Sequence, residues 1–313
     1  MTRALVFPGQ GSQSVGMGRA LAEAFRAARE VFEEVDEALR QNLSRLIFEG
    51  PEDELTLTEN AQPALMAVSL AAMRVLEREG GLELARHIDC VAGHSLGEYS
   101  ALAAARASSL ADTARLLKRR GQAMQRAVPV GAGAMAALLG LELDAVRSIV
   151  EEAAEGEVCA VANDNGASQV VVSGHKAAVE RAVELAASRG ARRSIMLPVC
   201  APFHCPLMAP AASAMEEALA EVDLREPLVP LVANVTAASV SAPKEIRRLL
   251  VEQVTGLVRW RESVLGMKER GVDEMVELGA GRVLSGLARR IDREMATEAI
   301  GTPAEIEAFV KTL

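Results

Sequence analysis

The sequence predicts an α/β fold in which a large domain, residues 1–127 and 198–313, is interrupted by a small ferredoxin-like domain, residues 128–197. Three observations lead there. Half of the 313 residues are apolar while only 3% are aromatic, and the dominance of Ala, Val and Leu suits parallel strands covered by Ala-rich helices. Short apolar runs are followed by glycine turns and then by helical periodicity, at residues 5–40 and again at 88–106. Between residues 134 and 197 the order becomes βαββαβ, the split unit of ferredoxin-like domains.

Each element follows from its local pattern. Residues 5–7 form a short buried strand, Pro8-Gly9-Gln10-Gly11-Ser12-Gln13 a glycine-rich turn, and residues 18–40 a helix. A second helix covers 61–79, and the apolar run 88–92 is a buried strand leading into a helix at 96–106. Ser109 or Asp112 caps a further helix running to about residue 126. In the small domain 134–139 is a strand, 143–154 a helix, and 158–163 and 169–173 are strands joined by Asp164-Asn165-Gly166. Residues 175–188 are a helix and 191–197 a strand. Beyond the insert, 259–270 is helical, 274–278 is a strand, Gly279-Ala280-Gly281 is a turn, and a helix follows to residue 293.

The chain is long enough for a substantial core. Its net charge of −9 argues against general nucleic-acid binding, which needs a basic face, but leaves room for a local basic patch. No pair of the four cysteines has Cys-x-x-Cys spacing, so no metal or redox site is expected. No apolar stretch approaches the roughly 20 residues of a membrane span, and residues 1–8 lack the h-region of a signal peptide. A cytoplasmic protein with reduced thiols is expected, and nothing demands more than a monomer.

Gly93-His94-Ser95-Leu96-Gly97 lies between an apolar run and a helix. A chain reversing that sharply projects its central side chain from the turn, and residues two positions either side must be glycine or very small. Ser95 is therefore the candidate nucleophile, against the plainer reading of a strand–helix turn. A serine hydroxyl needs a base, and the sequence holds four histidines. His94 diverges from Ser95 in such an elbow, His87 precedes the strand and so lies near the opposite sheet edge, and His175 begins a helix of the small domain. His204, in the proline-stiffened Pro202-Phe203-His204-Cys205-Pro206, remains the best base, against the reading of a solvated loop histidine. No Asp or Glu is evidently placed as a third member, and the position stays open. An oxyanion hole needs two donors: the Leu96 amide is one, and the Gly9-Gln10-Gly11 turn offers a second. Neither glycine turn fits a dinucleotide fingerprint, since Ser14 and Leu284 stand where a third glycine belongs.

Phe7-Pro8-Gly9-Gln10-Gly11-Ser12-Gln13, Gln62-Pro63-Ala64, Gly93-His94-Ser95-Leu96-Gly97-Glu98-Tyr99 and Phe203-His204 occur together and in order. In this the chain resembles the malonyl-CoA:acyl carrier protein transacylases of bacterial fatty-acid synthesis over nearly its whole length. The resemblance implies an α/β-hydrolase-like large domain with a ferredoxin-like insert. It implies ping-pong transfer of malonyl from coenzyme A to the phosphopantetheine thiol of acyl carrier protein through a malonyl ester on Ser95, with His204 as base and no cofactor or metal. It assigns the oxyanion hole to the amides of Gln10 and Leu96, the open triad position to the main-chain carbonyl of Gln253, and the malonyl carboxylate to Arg120, whose guanidinium binds a carboxylate as a fork. Gln62 and Asn234 match positions near the pocket. In related polyketide acyltransferases Phe at the position of Phe203 accompanies malonyl rather than methylmalonyl, so malonyl preference is expected. Gln253-Val254-Thr255-Gly256-Leu257 departs from the Tyr-Asn-Pro usual after the glutamine.

The same residues admit a serine thioesterase or hydrolase, a non-catalytic scaffold, or a malonyl transferase serving a polyketide or malonate decarboxylase carrier. Carrier proteins of this type are acidic, and Arg192, Arg193 and Arg282 are candidate docking residues.

Overall fold

The computed structural model describes residues 2–313. Ten strands, β1 (Arg3–Phe7), β2 (Cys90–Gly93), β3 (Gly133–Leu139), β4 (Cys159–Asp164), β5 (Gln169–His175), β6 (Arg193–Met196), β7 (Leu231–Val232), β8 (Ser239–Val240), β9 (Glu274–Leu278) and β10 (Ala296–Ile300), form two sheets among the described residues. The large sheet has the order β10-β9-β1-β2-β7-β8. It is parallel throughout except for the antiparallel edge strand β8.

Along β1 the side chains alternate between two cores. Leu5 and Phe7 pack with the helices Arg26–Leu39, Thr58–Arg78 and Leu110–Ala127, while Ala4 and Val6 pack with Trp260, Val264 and Leu287 of the helices Trp260–Glu269 and Val283–Ile291. Because both faces are covered, β1 reads as one apolar run. The carboxyl ends of β1, β2 and β9 lead into the turns that carry Gln10, Ser95 and Arg282, and such an edge is where open parallel sheets place their ligands.

The small sheet, order β4-β5-β3-β6, is antiparallel and ferredoxin-like. The helices Leu143–Ala154 and Lys176–Ser188 pack on one face, against Ala134, Ala136, Leu138, Val170 and Val172. The other face, with Met135, Ala137, Ala162 and Val171, joins the core of the large domain. Three contacts fasten the two bodies: a parallel bridge between Asn163 and Val258, the Asp164–Arg261 ion pair at 2.8 Å, and a hydrogen bond between His94 Nε2 and Asn165 Oδ1 at 2.9 Å.

Several expected boundaries move. The helix expected over 18–40 is two helices, Arg19–Ala24 and Arg26–Leu39, because Phe25 is extended at φ −124°, ψ 125°. The helix expected from 61 begins at Thr58, which leaves Pro63 inside it. His175 ends β5 and precedes the helix Lys176–Ser188 instead of opening it, and the last expected helix ends at Ile291. Ser109, not Asp112, caps Leu110–Ala127 by accepting from the Asp112 amide.

Candidate active site

β2 ends at Gly93 and the helix Leu96–Ala104 starts at Leu96. The chain turns between them on Ser95 at φ 54°, ψ −110°, a conformation that a side chain adopts only when its surroundings enforce it. The enforcement is steric. A Cβ on Gly93 would lie 1.9 Å from the Gly97 carbonyl carbon, and one on Gly97 would lie 2.1 Å from the Phe7 carbonyl oxygen. Asn234 braces the turn, accepting from the Ser95 amide at 2.7 Å and donating to the Gly93 carbonyl at 2.6 Å.

His204 also stands at positive φ, 58°, in a buried segment between two prolines. Its Nε2 lies 2.8 Å from Ser95 Oγ and its Nδ1 lies 2.9 Å from the Gln253 carbonyl oxygen. A carbonyl only accepts, so Nδ1 carries the proton and Nε2 presents its lone pair to the serine. Burial first, then the charge of Arg120, pushes the imidazole down to about 3, which keeps it neutral and able to accept a proton at physiological pH.

Arg120 reaches the same place from the helix Leu110–Ala127. Its neighbour Gly121 lets that helix close on Thr58–Arg78, for a Cβ there would lie 2.5 Å from Glu59 Cα. The guanidinium is 1% exposed. Nη1 donates to Gln62 Oε1 at 2.9 Å, and Nη2 donates to Gln253 Oε1 at 2.7 Å and to Ser95 Oγ at 3.1 Å. The ring of Tyr99 lies 5.5 Å below. Among the described residues none of these partners is a carboxylate, and Nε has no partner. A buried cation whose direct partners are all neutral is costly; the buried carboxyl of Glu98 acts on it only through space, and the site is thereby prepared for an anion.

These groups open on a cavity of about 360 Å³ lined by Gln10, Gln62, Leu96, Met124, Met135, Asn163, Leu197, Val199 and Phe203, besides Ser95, Arg120 and His204. A larger surface groove of about 610 Å³, beside Arg74, Arg106 and Asp223, has no histidine in its lining. An apolar-walled slot with a serine–imidazole pair and one buried cation can form and resolve an ester of an anionic acyl group.

The acyl transferase domain family matches residues 4–299. The malonyl CoA-acyl carrier protein transacylase of Bacillus subtilis (strain 168) is 44% identical over 311 residues, covering 99% of this chain and 96% of that protein. This chain belongs to the acyl transferase family, among its malonyl-CoA:acyl carrier protein transacylases. Solved structures agree. The acyl-carrier-protein S-malonyltransferase of Bartonella henselae is 56% identical with a TM-score of 0.98, covering 100% of this chain and 99% of that one. A malonyl-transacylase solved in complex with a type II PKS acyl-carrier protein is 39% identical with a TM-score of 0.97, and the match covers 100% of both chains.

In this acyltransferase the other histidines have other partners, although His94 also lines the cavity. His94 bonds Asn165, His87 accepts from the Glu83 amide, and His175 accepts from the Val158 amide. Gln10 lines the cavity, its Nε2 donating to Thr58 Oγ1 at 3.3 Å, and the Leu96 amide begins a helix, where no intrahelical acceptor exists. Asn234, expected to bind substrate, lies beneath the elbow and outside the cavity lining, because both ends of its amide are held by the backbone of Gly93 and Ser95.

Of the candidate docking residues, Arg282 follows β9 and is paired with Glu305 at 2.6 Å. Arg193 stands at the start of β6, roughly 13 Å along the chain from Leu197 at the cavity. Arg192 precedes it, and both are exposed.

Two participants carried no sequence expectation. The side chain of Gln253, besides its carbonyl, ties Arg120 Nη2 to the Ser95 carbonyl and to Glu98. Glu98 is 1% exposed. Its spacing three residues after Ser95 was the available signal, since i and i+3 share a helix face.

Proposed function

We propose that this acyltransferase moves the malonyl group of malonyl-CoA to the phosphopantetheine thiol of acyl carrier protein for fatty-acid biosynthesis. The observation that carries the reading is Arg120, a buried guanidinium without a carboxylate partner, 3.1 Å from the nucleophile. A malonyl carboxylate supplies the missing anion and receives the fork of donors; an acetyl group cannot.

Ser95 Oγ attacks the thioester carbonyl while its proton passes to His204 Nε2. The developing oxyanion is received by the amides of Leu96 and Gln10, which are worth most in a site closed to water. The imidazolium is supported through Nδ1 by the Gln253 carbonyl. Collapse expels the CoA sulfur, which takes the proton from His204, and leaves a malonyl ester on Ser95. The carrier thiol then gives its proton to His204 and attacks the ester, and Ser95 recovers the proton as it leaves. Met124, Met135, Leu197, Val199 and Phe203 wall the slot and keep water from the ester in the interval. No step calls for a metal or organic cofactor.

Every group in this scheme comes from one chain, which supports a functional monomer. All four cysteines are free, which fits the cytoplasm, and no helix of the described residues is long and apolar enough to cross a membrane. The relative solved with a type II PKS acyl-carrier protein favours, as a second reading, a polyketide carrier receiving the same acyl group.

Incubation with malonyl-CoA, with and without acyl carrier protein, tests the proposal. Malonyl-carrier should form in its presence and the acyl-enzyme should persist in its absence. Fast malonate release without an acceptor would make the protein a hydrolase.

A further inference from the structure

We propose that Glu98 is a positioning residue for acyl selectivity: through one carboxyl oxygen it fixes the Gln253 side-chain amide, and so holds the Arg120 guanidinium where an anionic acyl group is received. The inference rests on the malonyl reading given above.

Glu98 lies one turn beyond Ser95 on the helix Leu96–Ala104, fully enclosed. Its Oε2 accepts from Gln253 Nε2 at 2.7 Å and from the Asn234 amide at 3.2 Å. Its Oε1 has no partner. The Gln253 amide is asymmetric, and its orientation matters. As placed, Oε1 accepts from Arg120 Nη2 at 2.7 Å. Turned over, Nε2 would face the guanidinium, donor against donor. Three acceptors oppose that turn: Glu98 Oε2 at 2.7 Å, the Ser95 carbonyl at 3.0 Å and Asn234 Oδ1 at 3.4 Å. Glu98 provides the shortest. Gln62 Oε1 holds the other arm of Arg120 at 2.9 Å. The cation is thus gripped between two amides, and Glu98 sets the orientation of one of them.

The grip does not depend on the charge of Glu98. Burial raises its carboxyl to about 7, against hydrogen bonds from Gln253 and Asn234 and the charge of Arg120. The titratable groups that face it are Arg120 and Tyr99. In either protonation state Oε2 keeps its lone pairs, since a proton is accommodated on the unpartnered Oε1. A glutamine can present one oxygen in the same place. The role is therefore that of an acceptor, distinct from a pH switch and from simple filling of space.

The test compares Glu98→Met, Glu98→Ala and Glu98→Gln with the parent enzyme. Loading of Ser95 by malonyl-CoA and by acetyl-CoA is followed by rapid quench and intact mass, with Tm as a control for folding. The Met variant keeps the volume and removes the acceptor; the Ala variant guards against a packing fault peculiar to Met. Both should raise KM for malonyl-CoA more than they lower kcat and cut the malonyl-to-acetyl selectivity on the order of tenfold, the loss of about one hydrogen bond, while Glu98→Gln restores it. Selectivity unchanged in the Met and Ala variants, loss of malonyl and acetyl loading in equal proportion, or a Gln variant as unselective as Met would each overturn the proposal. A parent enzyme that shows no preference for malonyl would instead remove the reading on which it rests.

Discussion

His204 donates its Nδ1 proton to the main-chain carbonyl of Gln253, 2.9 Å away. A neutral acceptor there fixes the tautomer and aims Nε2 at Ser95, as a carboxylate does in a Ser-His-Asp triad. It brings no negative charge to balance Arg120, so the imidazole is held in its neutral form by burial and by that cation.

The first expectation concerns pH. The basic form of His204 persists far below the ordinary imidazole value of about 6.5, because its proton affinity is lowered to about 3. Inactivation of Ser95 by a neutral sulfonyl fluoride should therefore keep its rate as pH falls through 6.5 and decline only well below. In Arg120→Gln one depressing cause is gone and the acid limb should move upward. A limb at about 6.5 in the parent enzyme would contradict this electrostatic picture.

Arg120→Ala should reduce kcat/KM for malonyl-CoA by roughly 30- to 1000-fold, equivalent to about 2–4 kcal/mol of charge-assisted hydrogen bonding. Acetyl-CoA, with no carboxylate to lose a partner, should be affected much less. Steady-state comparison of the two substrates checks this, and an equal fall for both would assign Arg120 a structural role.

Phe203 lines the cavity beside His204 and is 8% exposed. Phe203→Ser should relieve crowding of a 2-methyl group and shift the methylmalonyl-to-malonyl ratio of kcat/KM upward by about tenfold, the order expected for one methyl group in a pocket. Comparable use of methylmalonyl-CoA by the parent enzyme would remove the malonyl preference.

Two glycines should respond in opposite directions to alanine. At Gly93 the new Cβ meets the Gly97 backbone at 1.9 Å, and no side chain can move aside. Gly93→Ala should cost about 3 kcal/mol or more and abolish the elbow. At Gly286, inside the helix Val283–Ile291, nothing lies within 4 Å, so alanine should raise Tm through an added stability of about 0.4–1 kcal/mol. Thermal unfolding of both variants separates these outcomes.

Local features were legible in the sequence and long-range ones were not. The elbow reads from five residues because its glycines answer to sterics within the turn itself. The βαββαβ order reads from periodicity, since β3 and β5 alternate faces and their helices show one apolar side. The break at Phe25 was hidden because apolar spacing continues through it. The helices Ala209–Ala220 and Pro243–Thr255 carry Gln253 back to the site, yet β7 between them is two residues long and too short to read. Gln253 lies 158 residues from Ser95 and 49 from His204, so no spacing argument reaches it, and its carbonyl was supplied by family resemblance alone. Its side chain, and Glu98 behind it, emerge only when β2, the Leu110–Ala127 helix and the Pro243–Thr255 helix converge.

The central claim is that Ser95 holds the malonyl group between two thiols. Intact-mass and peptide mapping after brief exposure to malonyl-CoA tests it most directly. One malonyl group should appear on the peptide containing Ser95, be absent in Ser95→Ala, and disappear on addition of the phosphopantetheinylated carrier as malonyl-carrier forms. No covalent adduct in the folded parent enzyme, or an adduct that survives Ser95→Ala, would contradict the account.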